Sequence, residues 1–194
     1  LMSVIAPADI VINLVGILAP SGRQTFSALQ AELPGRIGRM AADTQTESVI
    51  HISALGADLK SSSVYARTKA EGERALLRQF AHATVLQPSI IFGPGDNFFN
   101  RFGQMAMIAP ALPLIGGGTS LMQPVYVGDV ADAVLAALST EEARGQIYQL
   151  GGPQTYSFAE LMRFTLDCVG RRRLLLPVPF SVVSLPAAFA GLLP

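Results

Sequence analysis

The chain has 194 residues, of which 50% are hydrophobic and 14% charged, against a usual charged share of about 25%. The length suits one domain with a sizeable core. A formal net charge of zero gives no electrostatic grip on nucleic acid, and the lone Cys168 excludes an internal disulfide and a cysteine metal framework. His51 and His82 lie far apart without ligand spacing, so no metal site is expected. The chain opens Leu1-Met2-Ser3 and stops in the apolar Leu192-Leu193-Pro194, which reads as one domain over 1–194, truncated at both ends.

Asp9 to Gly16 (DIVINLVG) is a β-branched run closed by glycine, as expected of a strand covered on both faces. Gln24 to Thr44 reads as a helix kinked at Pro34-Gly35. Ser48 to Ser53 is a second buried strand, with His51 as a satisfied core residue. Ser63 to Phe80 forms a helix capped from the run Ser61 to Ser63, and Glu71 and Glu73 among Lys69, Arg74 and Arg78 predict a solvated face. Thr84 to Phe92 is a third strand, interrupted by Pro88 before the Gly93-Pro94-Gly95-Asp96 turn.

Asn97 to Ile108 is expected to be helical, Gln123 to Val127 extended, Asp129 to Leu138 helical and Ile147 to Leu150 a strand. Ser157 and Glu160 form a capping box for a helix that Gly170 ends, and Arg171-Arg172-Arg173 places cations against a helix C-terminus. Two stretches lack charge, Phe102 to Gly128 and Leu174 to Pro194. Their prolines and glycines argue against a membrane span. Burial or cover by a partner is expected for the second, with peripheral membrane contact as the alternative. Alternating buried strands and helices indicate an α/β fold, a doubly wound parallel sheet.

In such sheets ligands bind at the carboxyl ends of the strands. Asn13 to Gly16, Ser53 and Pro88 to Ile91 all map to that edge, and Tyr65 and Lys69 lie on the helix after the second strand. A tyrosine and a lysine four apart share a helix face. The ammonium is expected to lower the phenol from its ordinary pKa of about 10 toward the range of acid–base work, with Ser53 holding a substrate carbonyl. On spacing alone, a surface helix with an ordinary tyrosine remains the alternative; the meeting of separate segments at one edge selects the site.

These segments resemble the short-chain dehydrogenase/reductases of the extended or atypical type. The resemblance is carried by NLVG (Asn13 to Gly16), SALGA (Ser53 to Ala57), YARTK (Tyr65 to Lys69), PSIIFGP (Pro88 to Pro94) and PVYVGDVADAV (Pro124 to Val134). Within that family the chain is most similar to the nicotinamide-nucleotide-binding accessory subunit of respiratory complex I and its bacterial relatives. SSSVYARTKAEGE (Ser61 to Glu73), Phe98 to Phe102, QPVYVGDV (Gln123 to Val130) and Pro34 carry that likeness. The resemblance implies a Rossmann-like fold and NADP(H) or NAD(H) as cofactor. It implies roles for Tyr65 as acid–base, for Lys69 as the ribose-binding, phenol-tuning cation and for Ser53 as the carbonyl-orienting residue. Leu14, Val15 and Gly16 would line the cofactor, and Pro88, Ser89, Ile90 and Ile91 would flank the nicotinamide.

There are two departures from the family pattern. No Gly-rich βαβ fingerprint follows a first strand, which places the adenine-binding half outside this chain and leaves an apolar edge on the Asp9 to Gly16 strand. The helix from Gln24 to Thr44 holds no asparagine for proton relay, and Gln30 is the substitute available there. Residues 92–122 and 151–194 would face substrate or partner. The implied role is a structural, dinucleotide-holding subunit among protein partners of the respiratory complex. That places it at the cytoplasmic face of a bacterial inner membrane or the mitochondrial matrix side. An active NAD(P)-dependent reductase, epimerase or dehydratase using Ser53, Tyr65 and Lys69 is the alternative.

Overall fold

A computed structural model describes residues 1–179. In chain order the elements are α1 (Met2–Ile5), β1 (Ile10–Asn13), a π-helical segment (Ser27–Glu32), α2 (Leu33–Asp43), β2 (Ser48–Ile52), α3 (Val64–Gln79), β3 (Thr84–Pro88) and β4 (Ile91–Phe92). Then come α4 (Phe99–Ile108), β5 (Ala111–Ile115), β6 (Leu121–Met122), β7 (Val125–Tyr126), α5 (Val127–Ser139), β8 (Ile147–Leu150), β9 (Tyr156–Ser157), α6 (Phe158–Cys168) and β10 (Leu174–Val178). They form two compact units, Leu1–Ser89 with Val127–Gly151, and Ile90–Tyr126 with the chain from Gly152 onward.

In the first unit, β1, β2, β3 and β8 lie side by side in one wholly parallel sheet. Strand side chains alternate between faces, so neighbouring residues of β2 enter different cores. Val49 packs with Ile37, Ala41 and Leu76 from α2 and α3, whereas Ile50 packs with Leu86 and with Ala137 from α5. Helices therefore cover both faces, and the sheet is the expected doubly wound α/β arrangement. β1 departs from its expectation of cover on both faces. It is an edge strand, and Ile10 and Ile12 remain 45% and 44% exposed while Asn13 is buried.

The kink expected at Pro34 takes a particular form. Proline has no N–H to give to the carbonyl four residues back. The turn ahead of it widens into the π-helical Ser27–Glu32, and Pro34 sits in the first turn of α2. The freed Gln30 carbonyl lies against α3 at Gly72, where a Cβ would come within 1.9 Å of the oxygen. Ser63 caps α3 by accepting the Ala66 N–H at 3.4 Å. The third strand stops at Pro88 rather than running on to Phe92, and Ile91–Phe92 pairs instead with Val125–Tyr126.

The second unit is built on aromatic packing. Phe98, Phe99, Phe102 and Phe158 make edge-to-face contacts around a core that holds Leu112, Leu161 and Met162. Asp96 accepts the Phe98 and Phe99 N–H groups at 2.8 and 2.6 Å, anchoring the start of α4. Both halves of the Ser157–Glu160 capping box form at α6. Strands β5 and β10 lie in the two uncharged stretches and pair in parallel, from Leu174 with Ala111 to Val178 with Ile115. Arg173 caps α4, not the helix it follows, donating to the Ala106 carbonyl at 2.8 Å. No helix among the described residues is long and apolar enough to cross a membrane. The apolar run beyond Pro179 lies outside the described residues.

Candidate functional site at the strand tips

Parallel pairing brings the carboxyl ends of β1, β2 and β3 to one edge, with Asn13 beside His51 and Ile52 beside Leu86. Beyond β2 the chain continues along the tip of β3, with Ser53 N–H on the Leu86 carbonyl at 2.7 Å and Leu55 N–H on that of Pro88 at 2.9 Å. The first-unit members of the expected site, Leu14 to Gly16, Ser53, Tyr65, Lys69, Pro88 and Ser89, thus share one body. Ile90 and Ile91 belong to the second unit.

Lys69 is 4% exposed, so the aliphatic stem is buried and the ammonium is fixed. Its Nζ donates to the Ile52 carbonyl at 3.2 Å. The chain crosses above it at Gly16, where a Cβ would lie 3.2 Å from Nζ. Burial lowers the pKa of Lys69, and the Glu73 charge partly offsets that. One turn earlier, Tyr65 is half-buried and meets Phe26 edge-to-face, with centroids 6.1 Å apart. Burial raises the phenol pKa, opposite to the lowering expected from Lys69. Desolvation disfavours phenolate, and the Lys69 ammonium does not reverse it.

Ser53 is 5% exposed, and its hydroxyl donates to Glu73 Oε1 rather than to Tyr65. Gln87 Nε2 donates to both Glu73 oxygens, at 2.9 and 3.0 Å. Glu73 is 6% exposed, so it and Lys69 leave the expected solvated face, on which Glu71, Arg74 and Arg78 are exposed. Its pKa is raised by burial, against the hydrogen bonds from Ser53 and Gln87 and the charge of Lys69. The signal that could have found it was the period: Tyr65, Lys69 and Glu73 are each four apart and share one face of α3.

His51 carries a second correction. Val15 N–H donates to Asn13 Oδ1 at 3.1 Å, which fixes the amide so that Asn13 Nδ2 donates to His51 Nδ1 at 3.0 Å. The imidazole is therefore the neutral tautomer with its proton on Nε2. That Nε2–H is buried and has no partner among the described residues, so the expected satisfied core residue is satisfied on one side only. Burial, then the Lys69 charge, lowers its pKa to about 4. Gln30, 1% exposed, is used up in structure: Nε2 donates to the Ile17 carbonyl at 2.7 Å and Oε1 accepts from Thr68 at 2.9 Å. No group of three or more His, Cys, Asp or Glu residues suited to a metal occurs among the described residues.

Known proteins similar to this chain agree with the fold. It is 33% identical over 188 residues to the mitochondrial NADH dehydrogenase [ubiquinone] 1 alpha subcomplex subunit 9 of Arabidopsis thaliana, covering 96% of this chain and 47% of the relative. The mouse protein of the same name is 32% identical, covering 96% and 50%. The ceramide reductase of Caulobacter vibrioides is 28% identical, covering 89% and 54%. The chain thus spans about half the length of the curated relatives it matches. Among solved structures, MoeE5 in complex with UDP-glucuronic acid and NAD superposes with a TM-score of 0.80 at 20% identity, covering 92% of this chain and 68% of that one. A UDP-glucuronic acid 4-epimerase from Bacillus cereus in complex with UDP-glucuronic acid and NAD gives 0.78 at 20% identity, covering 92% and 65%. The sequence matches the NAD dependent epimerase/dehydratase family over residues 36–151, which include Ser53, Tyr65, Lys69 and Glu73, and the chain belongs to that family.

Proposed function

We propose that this chain is part of a nicotinamide-dinucleotide-holding accessory subunit of respiratory complex I. The observation that carries the reading is its similarity, over 96% of its length, to mitochondrial NADH dehydrogenase subunits from a plant and an animal. The partners are then other subunits of that assembly. The location is the matrix side of the mitochondrial inner membrane, or the cytoplasmic face of a bacterial one.

The strand tips fit a dinucleotide, NAD(H) or NADP(H). Bare backbone at Gly16 leaves the space that a Cβ would take from the Lys69 ammonium, and that ammonium has N–H groups beyond the one given to Ile52. In this reading Leu14, Val15 and Gly16 line the cofactor, Lys69 donates to its ribose, and Pro88 and Ser89 flank the nicotinamide. When bound, the nicotinamide supplies hydride transfer. Tyr65 holds a proton at its phenol oxygen, and the raised pKa keeps it there near neutrality. Such a site retains a cofactor more readily than it turns one over, and a ligand held only by the folded state stabilises that state by mass action.

A second reading, an active NAD(P)-dependent reductase, epimerase or dehydratase, is favoured by the likeness to ceramide reductase and by the complete Ser53, Tyr65, Lys69 set. One experiment separates the two. The full-length protein is followed through purification of complex I from its native membrane, with wild type and Tyr65→Phe compared. Co-purification, intact assembly and no carbonyl-reduction activity in either form support the accessory role. Activity in the wild type that Tyr65→Phe abolishes, with assembly unaffected, supports the enzyme.

A further inference from the structure

The Ser53 hydroxyl has one proton, and the fold has already placed it. Ser53 Oγ donates to Glu73 Oε1, with both residues buried. Gln87 Nε2 donates to both carboxylate oxygens, including the Oε1 that takes the Ser53 proton. An amide NH2 only donates, so Glu73 faces Gln87 as an acceptor. Burial raises the Glu73 pKa, and against it the two hydrogen bonds and the positive charge of Lys69, one turn earlier on α3, favour the ionised carboxylate. A serine whose proton is held this way offers a ligand only its lone pairs.

We propose that Glu73 is a positioning residue that makes Ser53 a hydrogen-bond acceptor, so the strand-tip site prefers a ligand presenting an O–H, an alcohol, over one presenting a carbonyl oxygen. This rests on the reading of Ser53 as the residue that meets the substrate oxygen, and it assigns that oxygen a protonation state. It also bears on turnover. Removing one preorganised donor from a developing oxyanion costs roughly 100- to 1,000-fold in rate, and a serine without a free proton is a missing donor.

Removing the acceptor supplies the handle. Ser53 and Gln87 both donate to Glu73 Oε1, so a glutamine oxygen there would keep the serine proton. In Glu73→Leu the side chain keeps its bulk and accepts no hydrogen bond, which frees the serine proton for the ligand.

The test uses the full-length protein. 4-Nitrobenzyl alcohol is titrated with NADH present and 4-nitrobenzaldehyde with NAD+ present, pairs that cannot turn over. Glu73→Leu is expected to shift the alcohol-to-aldehyde affinity ratio about tenfold toward the aldehyde, and a Ser53→Ala background is expected to erase that shift. An unchanged ratio, or a shift that survives without Ser53, overturns the proposal. Infrared difference spectra decide the polarity without any ligand. At neutral pH, wild type minus Glu73→Leu should show an ionised carboxylate band that moves in Ser53→Ala; wild type minus Ser53→Ala reads the same band if the leucine variant does not fold. A carboxylic acid band, or a carboxylate band indifferent to Ser53, overturns the proposal. Loss of dinucleotide binding in the wild type would instead count against the site reading, leaving the infrared result to stand by itself.

Discussion

Gly72 of α3 presses so closely on the Gln30 carbonyl that a Cβ at residue 72 would sit 1.9 Å from that oxygen. The contact ties three features together. Pro34 takes away the N–H that would have bonded Gln30, the helix widens there, and the side chain of the same Gln30 holds Ile17 and Thr68. Backbone cannot rotate away as a side-chain tip can. Gly72→Ala is therefore expected to cost about 3 kcal/mol, at the upper end of overpacking penalties, by forcing α2 and α3 apart. Ala70→Gly on the same helix, which creates no clash, should cost about 1 kcal/mol. Chemical denaturation of both variants checks the ordering, and equal losses would show that the helices yield at this contact.

His51 gives the fold a pH dependence of defined sign. Its folded pKa, about 4, lies below the ordinary 6.5, so the unfolded chain binds more protons between those values. Stability is then fully present above pH 6.5 and falls as the pH drops toward 4, by about 3 kcal/mol for this residue alone. Glu73 acts in the opposite sense. Its raised pKa contributes stability at low pH that fades as the pH climbs above the ordinary carboxylate value of 4.5. The contribution of His51 is isolated by difference. His51→Gln keeps an acceptor for Asn13 and removes the titration, so wild type minus variant should slope upward with pH between 4 and 6.5. A flat difference would mean that the imidazole titrates normally.

The doubly wound sheet was legible because β2 and β3 are short apolar runs closed by turn residues, and α6 because Ser157 with Glu160 spells a capping box. That Tyr65 and Lys69 share a helix was legible for a related reason, since a period of four on a helix is a local property. Strands β5 and β10 were not legible. Pro113 and Pro177 sit inside them, and with no charge within either strand nothing marks alternation. Glu73 was hidden by its company: Glu71, Arg74 and Arg78 are the neighbours of a solvated face, and only the strand tips opposite reveal its burial. The proton on Ser53 and the tautomer of His51 depend on residues 20 and 38 positions away, so no local pattern could hold them.

In the second unit, Arg173 reaches back to close α4, with Nε on the Ala106 carbonyl at 2.8 Å and Nη2 on that of Met107 at 3.4 Å. A helix end leaves its last carbonyls unpaired and carries a partial negative charge, so the guanidinium both bonds and neutralises it. Arg173→Met keeps the stem and is expected to lose about 1 kcal/mol, visible as earlier melting. Arg172→Met, next to it, should melt as the wild type does. Identical behaviour of the two variants would leave the cap without energetic weight.

Lys69 separates holding the fold from holding the ligand. Burial pulls its pKa below the ordinary 10.5, so the charged ammonium is disfavoured in the folded state at neutral pH. Such a lysine contributes stability that grows only as the pH rises past the folded pKa toward 10.5. At pH 7 the folded chain therefore bears a cost, partly offset by the Ile52 carbonyl and by Glu73 on the next turn. Lys69→Met preserves the buried stem and removes that cost, while leaving Glu73 without its countercharge. The two effects oppose, and stability is expected to change by no more than about 1 kcal/mol. Binding has no such compensation, because the ammonium is the group at Gly16 from which a dinucleotide's ribose would take its hydrogen bond. NADH affinity of the full-length protein, read by cofactor fluorescence, should fall about tenfold or more. A variant that unfolds would show the ammonium to be a structural tie first, and one that binds NADH as before would remove Lys69 from the cofactor site.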